Sequence, residues 1–494
     1  MTRQFIAVLF FFSIIFTTSV MAQERSFVIV NASIIDGTGK PAYKGSVRVR
    51  RGVIVGIGQI KPAKGEEVID GNGLILAPGF IDIHNHSESG IRREGSAANQ
   101  VSQGITSIIV GPDGGSPLNI AEYLNSLEGK IAINVGTFIG HGTVRIQVLG
   151  NDNKRPAKDV ELDMMKERVE EAMKQGAFGL STGLEYDSGF SASTEELIEL
   201  SRVAARNGGI YMTHMRDEEE GVMNAIREAI KIGREAGIPV QISHIKMGNK
   251  SVWNRSSEAI ALINDAKLIG QDITADAYPY NAWASTITVL VPSRKHEDRD
   301  EIRKGIDAIG GADKVLITRC DAFPEYEGKT LQQAAVIGNR SEIDTYIDIV
   351  KKGGAAVIGY GMTESDVKEF YQTPWVMVSS DGGIGSRHPR GTGTFPRVLG
   401  RFVRENKWLS LESAIRKMSG MPAARLGLKD RGIIKKGMKA DLVLFDPKTV
   451  LDTATFVDPQ VLSTGINSVF VNGLKVWDGT KTTGNLPGSV LKSQ

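Results

Sequence analysis

Short apolar runs alternate with helix-like stretches through the middle of this 494-residue sequence. The runs are Gly79–Ile83, Ser107–Val110, Ile133–Val135, Phe178–Leu180, Ile210–Met212, Val240–Ile242, Ile273–Ala275 and Val376–Val378. Amphipathic segments such as 194–207 and 218–236 fill the intervals. Strands that alternate with helices predict a parallel sheet, and eight such units are the number that closes a (β/α)8 barrel of the TIM type. We therefore expect an α/β protein with a central barrel.

Both ends of the chain have a different, all-β pattern. Strands are predicted at 27–30, 46–49, 53–56, 440–445 and 468–473. We expect one small β-sandwich-like domain built from residues 23–77 and 431–494, with the barrel over 78–430. The interval between the seventh and eighth predicted strands is far longer than one βα unit, which predicts an insertion of about 292–374 over the barrel mouth.

The N-terminus has the order of a secretory signal. Arg3 precedes the apolar run Phe5–Phe16, and small residues lead to Ala22 before Gln23. We expect residues 1–22 to be a signal peptide cleaved after Ala22, giving an exported protein that is periplasmic or secreted. The run is shorter than the about 20 residues that span a bilayer, so no stable membrane span is expected after cleavage. An uncleaved anchor is the alternative interpretation.

Charge and cysteine content narrow the function classes. The sequence has 59 Lys and Arg against 57 Asp and Glu, a net charge of +2, so no nucleic-acid partner is expected. The single cysteine, Cys320, excludes a disulfide within the chain and a Cys-rich metal cluster. A metal, if present, must be held by histidine and carboxylate ligands. The sequence leaves the oligomeric state open.

Histidine and aspartate follow several predicted strands. His84 and His86 follow the first strand at period-two spacing, which puts both imidazoles on one face. His214 follows the fifth strand, His244 the sixth and Asp381 the eighth. In a barrel these positions converge on the C-terminal rim, where active sites lie. Four imidazoles and a carboxylate suit one or two divalent ions such as Zn²⁺, and a hydrolytic site needs a base beside the metal, for which Asp381 is the candidate.

Longer motifs extend this pattern over nearly all of the chain after residue 22. They are Ala77–His86, Gly179–Leu184, Thr213–Glu218, Asp276–Tyr280, Ser379–Gly382 and His388–Arg397. In these motifs the chain resembles the amidohydrolase superfamily and, within it, the D-aminoacylase (N-acyl-D-amino-acid deacylase) family. The resemblance implies a metal-dependent deacylase with a barrel and a small β-domain. It assigns His84, His86, His214 and His244 as metal ligands and Asp381 as the general acid and base.

One position departs from the family. Well-known members carry a bridging Cys in a Gly-Asn-Cys-Gly turn after the second strand, whereas this chain has Asp113 in Gly111-Pro112-Asp113-Gly114. Either Asp113 or Glu185, after the fourth strand, can supply a bridging carboxylate. We favour Glu185 slightly, because its longer side chain reaches further. The alternative for Asp113 is a turn cap, and with neither carboxylate as a ligand the site would hold one metal.

The resemblance also implies a substrate with a free α-carboxylate beside the scissile amide. Arg390 can bind that carboxylate bidentately, and Lys246 and Tyr280 can add hydrogen bonds. His141, after the third strand, can line the pocket or polarise the acyl carbonyl. The expected reaction converts an N-acyl-D-amino acid, a small-molecule substrate, to a carboxylate and a free D-amino acid. Stereochemical preference here depends on the resemblance alone.

Three other functions are compatible with the same residues. A dihydroorotase- or hydantoinase-like enzyme would open a cyclic amide, although such enzymes carry a carboxylated Lys on the fourth strand where this chain has Glu185. A dipeptidase that accepts a D-residue at the carboxyl end would use a peptide-like acyl group. A non-catalytic metal-binding protein is disfavoured, because a structural metal site needs no base such as Asp381.

Overall fold

The structure is a computed structural model that describes residues 26–493, so the predicted signal peptide lies outside the described residues. The strands are β1 (Ser26–Ile34), β2 (Tyr43–Arg50), β3 (Val53–Gly58), β4 (Glu67–Asp70), β5 (Ile75–Pro78), β6 (Phe80–Asp82), β7 (Ile105–Val110), β8 (Asn134–Thr137), β9 (Ile139–Gly140), β10 (Gly179–Gly183), β11 (Ile210–His214), β12 (Val240–Ile242), β13 (Ile273–Ala277), β14 (Trp283–Thr286), β15 (Val315–Arg319), β16 (Ala356–Gly359), β17 (Val376–Val378), β18 (Leu442–Phe445), β19 (Ile466–Val471) and β20 (Leu474–Trp477).

Helices occupy most of the intervals between these strands. The α-helices are α1 (Gly90–Arg93), α2 (Ala98–Val101), α3 (Ile120–Leu127), α4 (His141–Leu149), α5 (Asp159–Lys174), α6 (Asp187–Phe190), α7 (Thr194–Arg206), α8 (Val222–Ala236), α9 (Ser256–Leu268), α10 (Arg299–Ile309), α11 (Leu331–Ile337), α12 (Glu342–Lys351), α13 (Glu364–Gln372), α14 (Arg390–Arg397), α15 (Leu411–Met418) and α16 (Gly420–Arg425). A π-helical stretch, Val398–Glu405, continues α14.

The central domain is a parallel barrel, which confirms the predicted fold class. One sheet runs β6-β7-β8 and a second runs β9-β10-β11-β12-β13-β17, and all of these pairs are parallel. Phe138 separates β8 from β9, so these two form one barrel position, and a parallel bridge between Asn85 and Gly382 joins the first position to the last. Each of the eight predicted apolar runs overlaps a barrel strand. Strands such as β7 are buried along their whole length, because side chains on one face fill the barrel and those on the other pack under the helices.

The two ends of the chain meet in one eight-stranded sheet. Its order is β20-β19-β18-β5-β1-β2-β3, with β4 paired to β1. N-terminal β5 pairs antiparallel with C-terminal β18, so neither end completes the sheet alone. The sheet bends back on itself, since Ile54 in β3 exchanges backbone hydrogen bonds with residues 437 and 438, just before β18. A core that includes Ile29, Val47 and Leu442 fills the bend.

A small antiparallel sheet, β14-β16-β15, lies in the long interval between the seventh and eighth barrel strands, together with α10, α11 and α12. Part of this interval, residues 283–296, reaches the rim of the barrel and lines the cavities described below. Within residues 26–493 no helix is both long and apolar enough to cross a membrane.

Candidate active site

The barrel brings the strand-end residues to one rim, as the sequence predicted. His86, Asp113, Glu185, His214, His244 and Asp381 line a single cavity of about 180 Å³. Asp113, His244 and Asp381 have positive φ values of 55°, 32° and 47°. Left-handed backbone at non-glycine residues costs of order 1–3 kcal/mol each and is concentrated at functional sites. The fold therefore holds these three side chains in orientations that an ordinary loop would not adopt.

Asp113 lies among three of the histidines. Its Oδ2 is 3.1 Å from Nε2 of His84, 3.3 Å from Nε2 of His86 and 3.4 Å from Nε2 of His244. Asp381 faces the same group, with Oδ1 3.4 Å from Nε2 of His84 and 3.1 Å from Nε2 of His86. The structure thus places Asp113, at the family's cysteine position, at the centre of the cluster.

Glu185, the bridging residue that side-chain length favours, lies at the edge of the cluster instead. Its Oε2 is 2.7 Å from Nε2 of His214, whose Nδ1 is in turn 2.9 Å from Nε2 of His244. Glu218 approaches the same pair, with Oε1 3.0 Å from Nδ1 of His244. Asp113 therefore satisfies the geometry expected of a bridging carboxylate, whereas Glu185 contacts one histidine only.

Two overlapping sets of side chains can each surround one cation. In each set one nitrogen or oxygen atom from every residue lies within 4.8 Å of the corresponding atoms of the others; the sets are His84, Asp113, His244 and Asp381, and His214, Glu218 and His244. Oδ1 of Asp113 is buried without a hydrogen-bond partner among residues 26–493, which a cation would supply. Mixed imidazole and carboxylate donors are the ligands that Zn²⁺ binds. The residues at this rim therefore fit a divalent metal, with His244 shared between two positions.

Electrostatics keep the carboxylates of the cluster ionised. Burial opposes ionisation, but His84 and His244 outweigh it and hold the pKa of Asp113 well below its usual range. Burial likewise opposes ionisation of Asp381, and Arg390, His244 and His84 together hold the pKa of that carboxyl well below its usual range. Ionised carboxylates are the form that binds a metal or accepts a proton from water.

Another carboxylate, Asp276, lies behind the cluster next to the ring of His84. Its Oδ1 is 3.4 Å from Nδ1 of His84 and accepts hydrogen bonds from the backbone N–H of His244 and from Oγ of Ser379. Its Oδ2 accepts a hydrogen bond from Nε2 of Gln241. A carboxylate on Nδ1 orients an imidazole so that Nε2 faces the metal. Asp276 is fully buried, and these contacts join its own strand, β13, to β12 and to the residues that follow β6 and β17.

Two predicted cations stand in the wall of the same cavity. Nη1 of Arg390 lies 2.7 Å from Oδ2 of Asp381, and its buried Nε has no hydrogen-bond partner among the described residues. Nζ of Lys246 contacts Glu218 and lies 2.7 Å from Nδ1 of His244. Ser285 lines the cavity beside them. The predicted carboxylate-binding groups Arg390 and Lys246 therefore face the place where a substrate would lie.

Tyr280 does not reach this cavity. Its hydroxyl donates to the carbonyl of Pro389, and its ring packs against His388 at 5.3 Å between centroids and under the Arg397 guanidinium at 4.5 Å. Tyr278 lines the cavity in its place, with the Arg390 guanidinium 4.7 Å from its ring centroid. The substrate contact predicted for Tyr280 is thus not supported by the geometry.

His141 is also remote from the cavity. It opens α4, fully buried, with Nε2 2.8 Å from Oε1 of Glu196. Both oxygens of Glu196 lie 2.6 Å from Nη1 of Arg145, and Nη2 of the same arginine donates to two backbone carbonyls in the segment after α4. Glu196 thus links His141 to Arg145 in a buried network away from the cavity. The predicted role of His141 in the pocket is therefore not supported.

A larger cavity of about 380 Å³ adjoins the first one. The two share Glu185, Tyr186, Glu219 and Val289. Burial and the neighbouring carboxylates raise the pKa of Glu219 to about 8. Glu219, Tyr278, Glu218 and Asp276 are the site residues that sequence reasoning missed. Asp276 could have been found, since it comes directly after the predicted seventh strand, Ile273–Ala275.

Comparison with known proteins defines the class. Amidohydrolase family models match residues 75–274 and 340–476. The D-aminoacylase of Alcaligenes xylosoxydans xylosoxydans is 37% identical over 95% of this chain and 98% of its own length. A dihydroorotase of Thermoanaerobacter sp. is only 24% identical, over 85% of this chain.

Solved structures agree with this result. A D-aminoacylase structure described for its binuclear metal centre superposes with a TM-score of 0.86 at 35% identity, over 94% of this chain and 99% of that one. The N-acyl-D-glutamate deacylase of Bordetella bronchiseptica, solved with zinc and a phosphonate inhibitor, gives a TM-score of 0.87 at 33% identity, over 95% and 100% of the two chains. The chain therefore belongs to the amidohydrolase family, in the group of the D-aminoacylases.

Proposed function

We propose that this protein is a metal-dependent hydrolase that cleaves N-acyl-D-amino acids to a carboxylate and a free D-amino acid. The observation that carries the proposal is the convergence of the histidine cluster, Asp381 and two buried cations on one cavity. Membership of the D-aminoacylase group and the zinc and binuclear centres of its solved members support it. His84, His86, His214 and His244, with Asp113, would hold one or two divalent ions, zinc first.

The bound metal would supply an acidified water and a polarised acyl oxygen, the two requirements of amide hydrolysis at neutral pH. Asp381 is placed to accept the proton of the attacking water, because Arg390 engages its Oδ2 while Oδ1 faces the histidines. The same carboxyl then returns the proton to the leaving nitrogen, which must depart as an amine.

Arg390 and Lys246 orient the substrate. The free Nε of Arg390 and the ammonium of Lys246 can hold the α-carboxylate beside the scissile amide, which places the acyl group toward the metal cluster. Positioning of this kind makes the attack effectively intramolecular.

The direct test measures amine release from paired N-acetyl-D- and N-acetyl-L-amino acids by metal-free protein, with and without added Zn²⁺. Zinc-dependent hydrolysis confined to the D-series is the expected result. A substituted hydantoin and a dipeptide with a D-residue at its carboxyl end serve as comparison substrates. Hydrolysis of the hydantoin alone would replace the proposal with a cyclic-amide hydrolase, and zinc binding without turnover of any substrate would indicate a non-catalytic metal protein.

We further propose that the protein acts outside the cytoplasm, in the periplasm or as a secreted enzyme. The support is the order of charged, apolar and small residues in the first 22 positions. Mass spectrometry of the protein from intact cells should find Gln23 at the mature N-terminus, in an extracytoplasmic fraction. A full-length chain that begins at Met1 would contradict cleavage.

A further inference from the structure

The cavity beside the reaction site gives a substrate room to extend. Its volume of about 380 Å³ is roughly twice that of the reaction cavity, and the two cavities share four lining residues, Glu185, Tyr186, Glu219 and Val289. Ligand-binding cavities of this size are typical of small-molecule sites. A group attached to the substrate beyond the scissile amide would therefore enter this second cavity.

One wall of the second cavity is apolar. It is lined by Phe190, Val289, Val291 and Pro292, the last three from the segment between the seventh and eighth barrel strands. Such a wall accepts an aliphatic stem, since burying each methylene group contributes about 0.8 kcal/mol. The wall sets the character of the stem but does not identify the group at its end.

The cations of this cavity are already compensated. Arg216 makes a bidentate ion pair with Glu228, with both N–O distances at 2.9 Å. Arg294 pairs with Asp187 and donates to the carbonyl of Glu185, while its guanidinium lies 4.3 Å from the Phe190 ring centroid. Both guanidinium charges are therefore paired, although Nε of Arg294 is buried without a hydrogen-bond partner among residues 26–493.

Glu219 differs from these arginines because no side chain of opposite charge pairs with its carboxyl group among residues 26–493. Among residues 26–493 its carboxylate accepts one side-chain hydrogen bond, from Nδ2 of Asn249 at 3.0 Å, and makes no ion pair. Glu219 lines both cavities, so its carboxylate stands at the passage between the reacting centre and the apolar wall. A carboxylate at the passage favours a substituent that brings a positive charge and hydrogen-bond donors.

We propose that Glu219 is a specificity-determining residue that selects substrates with an aliphatic stem ending in an ammonium group. The ammonium group pairs with the Glu219 carboxylate where the two cavities meet, and the aliphatic stem packs against Val289, which also lines both cavities. The inference rests on the proposed deacylase function and names the substrate class of that same site. The ammonium group is carried either by the amino-acid side chain or by the acyl group, and the experiment distinguishes these two sources.

The experiment compares kcat/KM within two matched substrate pairs, using zinc-loaded protein. Nα-acetyl-D-lysine against N-acetyl-D-norleucine places the ammonium group on the side chain. N-(6-aminohexanoyl)-D-norleucine against N-hexanoyl-D-norleucine places it on the acyl group. A charge-assisted hydrogen bond corresponds to a preference on the order of ten-fold or more for the charged member of one pair. The pair that shows the preference identifies which part of the substrate enters the second cavity.

Two variants assign the preference to its residue. Glu219→Gln keeps the shape of the side chain and should bring the ratio to about one, whereas Glu220→Gln, at the exposed neighbouring residue, should leave the ratio unchanged. Ratios near one in both pairs for the wild-type protein would overturn the role of Glu219, and this comparison needs no variant to fold. The role is equally overturned if the preference persists in Glu219→Gln. It is also overturned if N-acetyl-D-glutamate has a higher kcat/KM than Nα-acetyl-D-lysine. Failure to hydrolyse any of these compounds would instead refute the deacylase function itself.

Discussion

Asp276→Asn tests whether the buried carboxylate behind the cluster prepares the metal site or only joins strands. Asparagine keeps Oδ1, so the hydrogen bonds from the N–H of His244 and Oγ of Ser379 can remain. The change removes the negative charge 3.4 Å from Nδ1 of His84. In the unchanged protein Nε2 of Gln241 donates to Oδ2 of Asp276 at 2.7 Å. The asparagine would place an NH₂ group there, so two donors would face each other.

The substitution should have two separate effects, one on stability and one on zinc affinity. One buried hydrogen bond, from Gln241, is replaced by two facing donors, which should lower the free energy of unfolding by about 1–3 kcal/mol. Loss of the carboxylate on His84 should lower zinc affinity by about 10- to 100-fold, the usual effect of removing a carboxylate that orients a metal-binding histidine. The second effect does not follow from the first, because a mildly destabilised protein is still almost fully folded.

Zinc affinity is measured by competition with a chromophoric chelator, and stability by urea denaturation of the metal-free protein. Ser379→Ala is the matched control, since it removes a hydrogen bond to the same carboxylate but leaves its charge and its contact with His84. We expect the control to lose about 1 kcal/mol of stability and to keep wild-type zinc affinity. Wild-type zinc affinity in Asp276→Asn would refute the reasoning and leave Asp276 as a brace between strands.

Three further changes probe other parts of the molecule. Asp381→Asn should lower kcat by orders of magnitude while atomic absorption still finds bound zinc, and retained activity would remove Asp381 from its role as acid and base. His141→Ala should lower the free energy of unfolding by about 1–3 kcal/mol, because it leaves part of the Glu196 network unpaired, with kcat/KM of the folded protein unchanged. Burial lowers the pKa of Lys417 to about 7 from an ordinary value of 10.5, so the folded state binds fewer protons than the unfolded state between these values, and stability should rise from pH 7 toward pH 10. Urea denaturation at pH 7 and pH 9.5 should show this rise in the wild-type protein and a smaller one in Lys417→Met.

The sequence predicts most of the residues at the rim of the barrel, because the topology of parallel strands alone brings them together. His84, His214, His244 and Asp381 each follow a parallel strand, and parallel strands end at the same edge whatever the loops do. The same reasoning fails for residues whose position depends on side-chain direction. The helix expected over 218–236 begins only at Val222, so Glu218 lies in the loop before α8.

His141 and Tyr280 show the limit of assigning a role from position. His141 follows a barrel strand but opens a helix, and that helix turns its imidazole toward Glu196. Tyr278 and Tyr280 are two residues apart, yet only Tyr278 faces the cavity, because Tyr280 packs against His388 and Arg397. The choice between Asp113 and Glu185 also needed three-dimensional geometry, since side-chain length favoured Glu185 and the left-handed turn at Asp113 reverses that preference.

Pairing of β5 with β18 has a consequence for how the chain reaches its native state. These strands, which lie roughly 370 residues apart in sequence, must find each other after the barrel between them has been synthesised, a contact of very long range. Until then β5 exposes an unpaired edge, the kind of surface that recruits other chains. A truncated chain that ends before β18 would keep that edge permanently, so a correct C-terminus protects an N-terminal strand from aggregation.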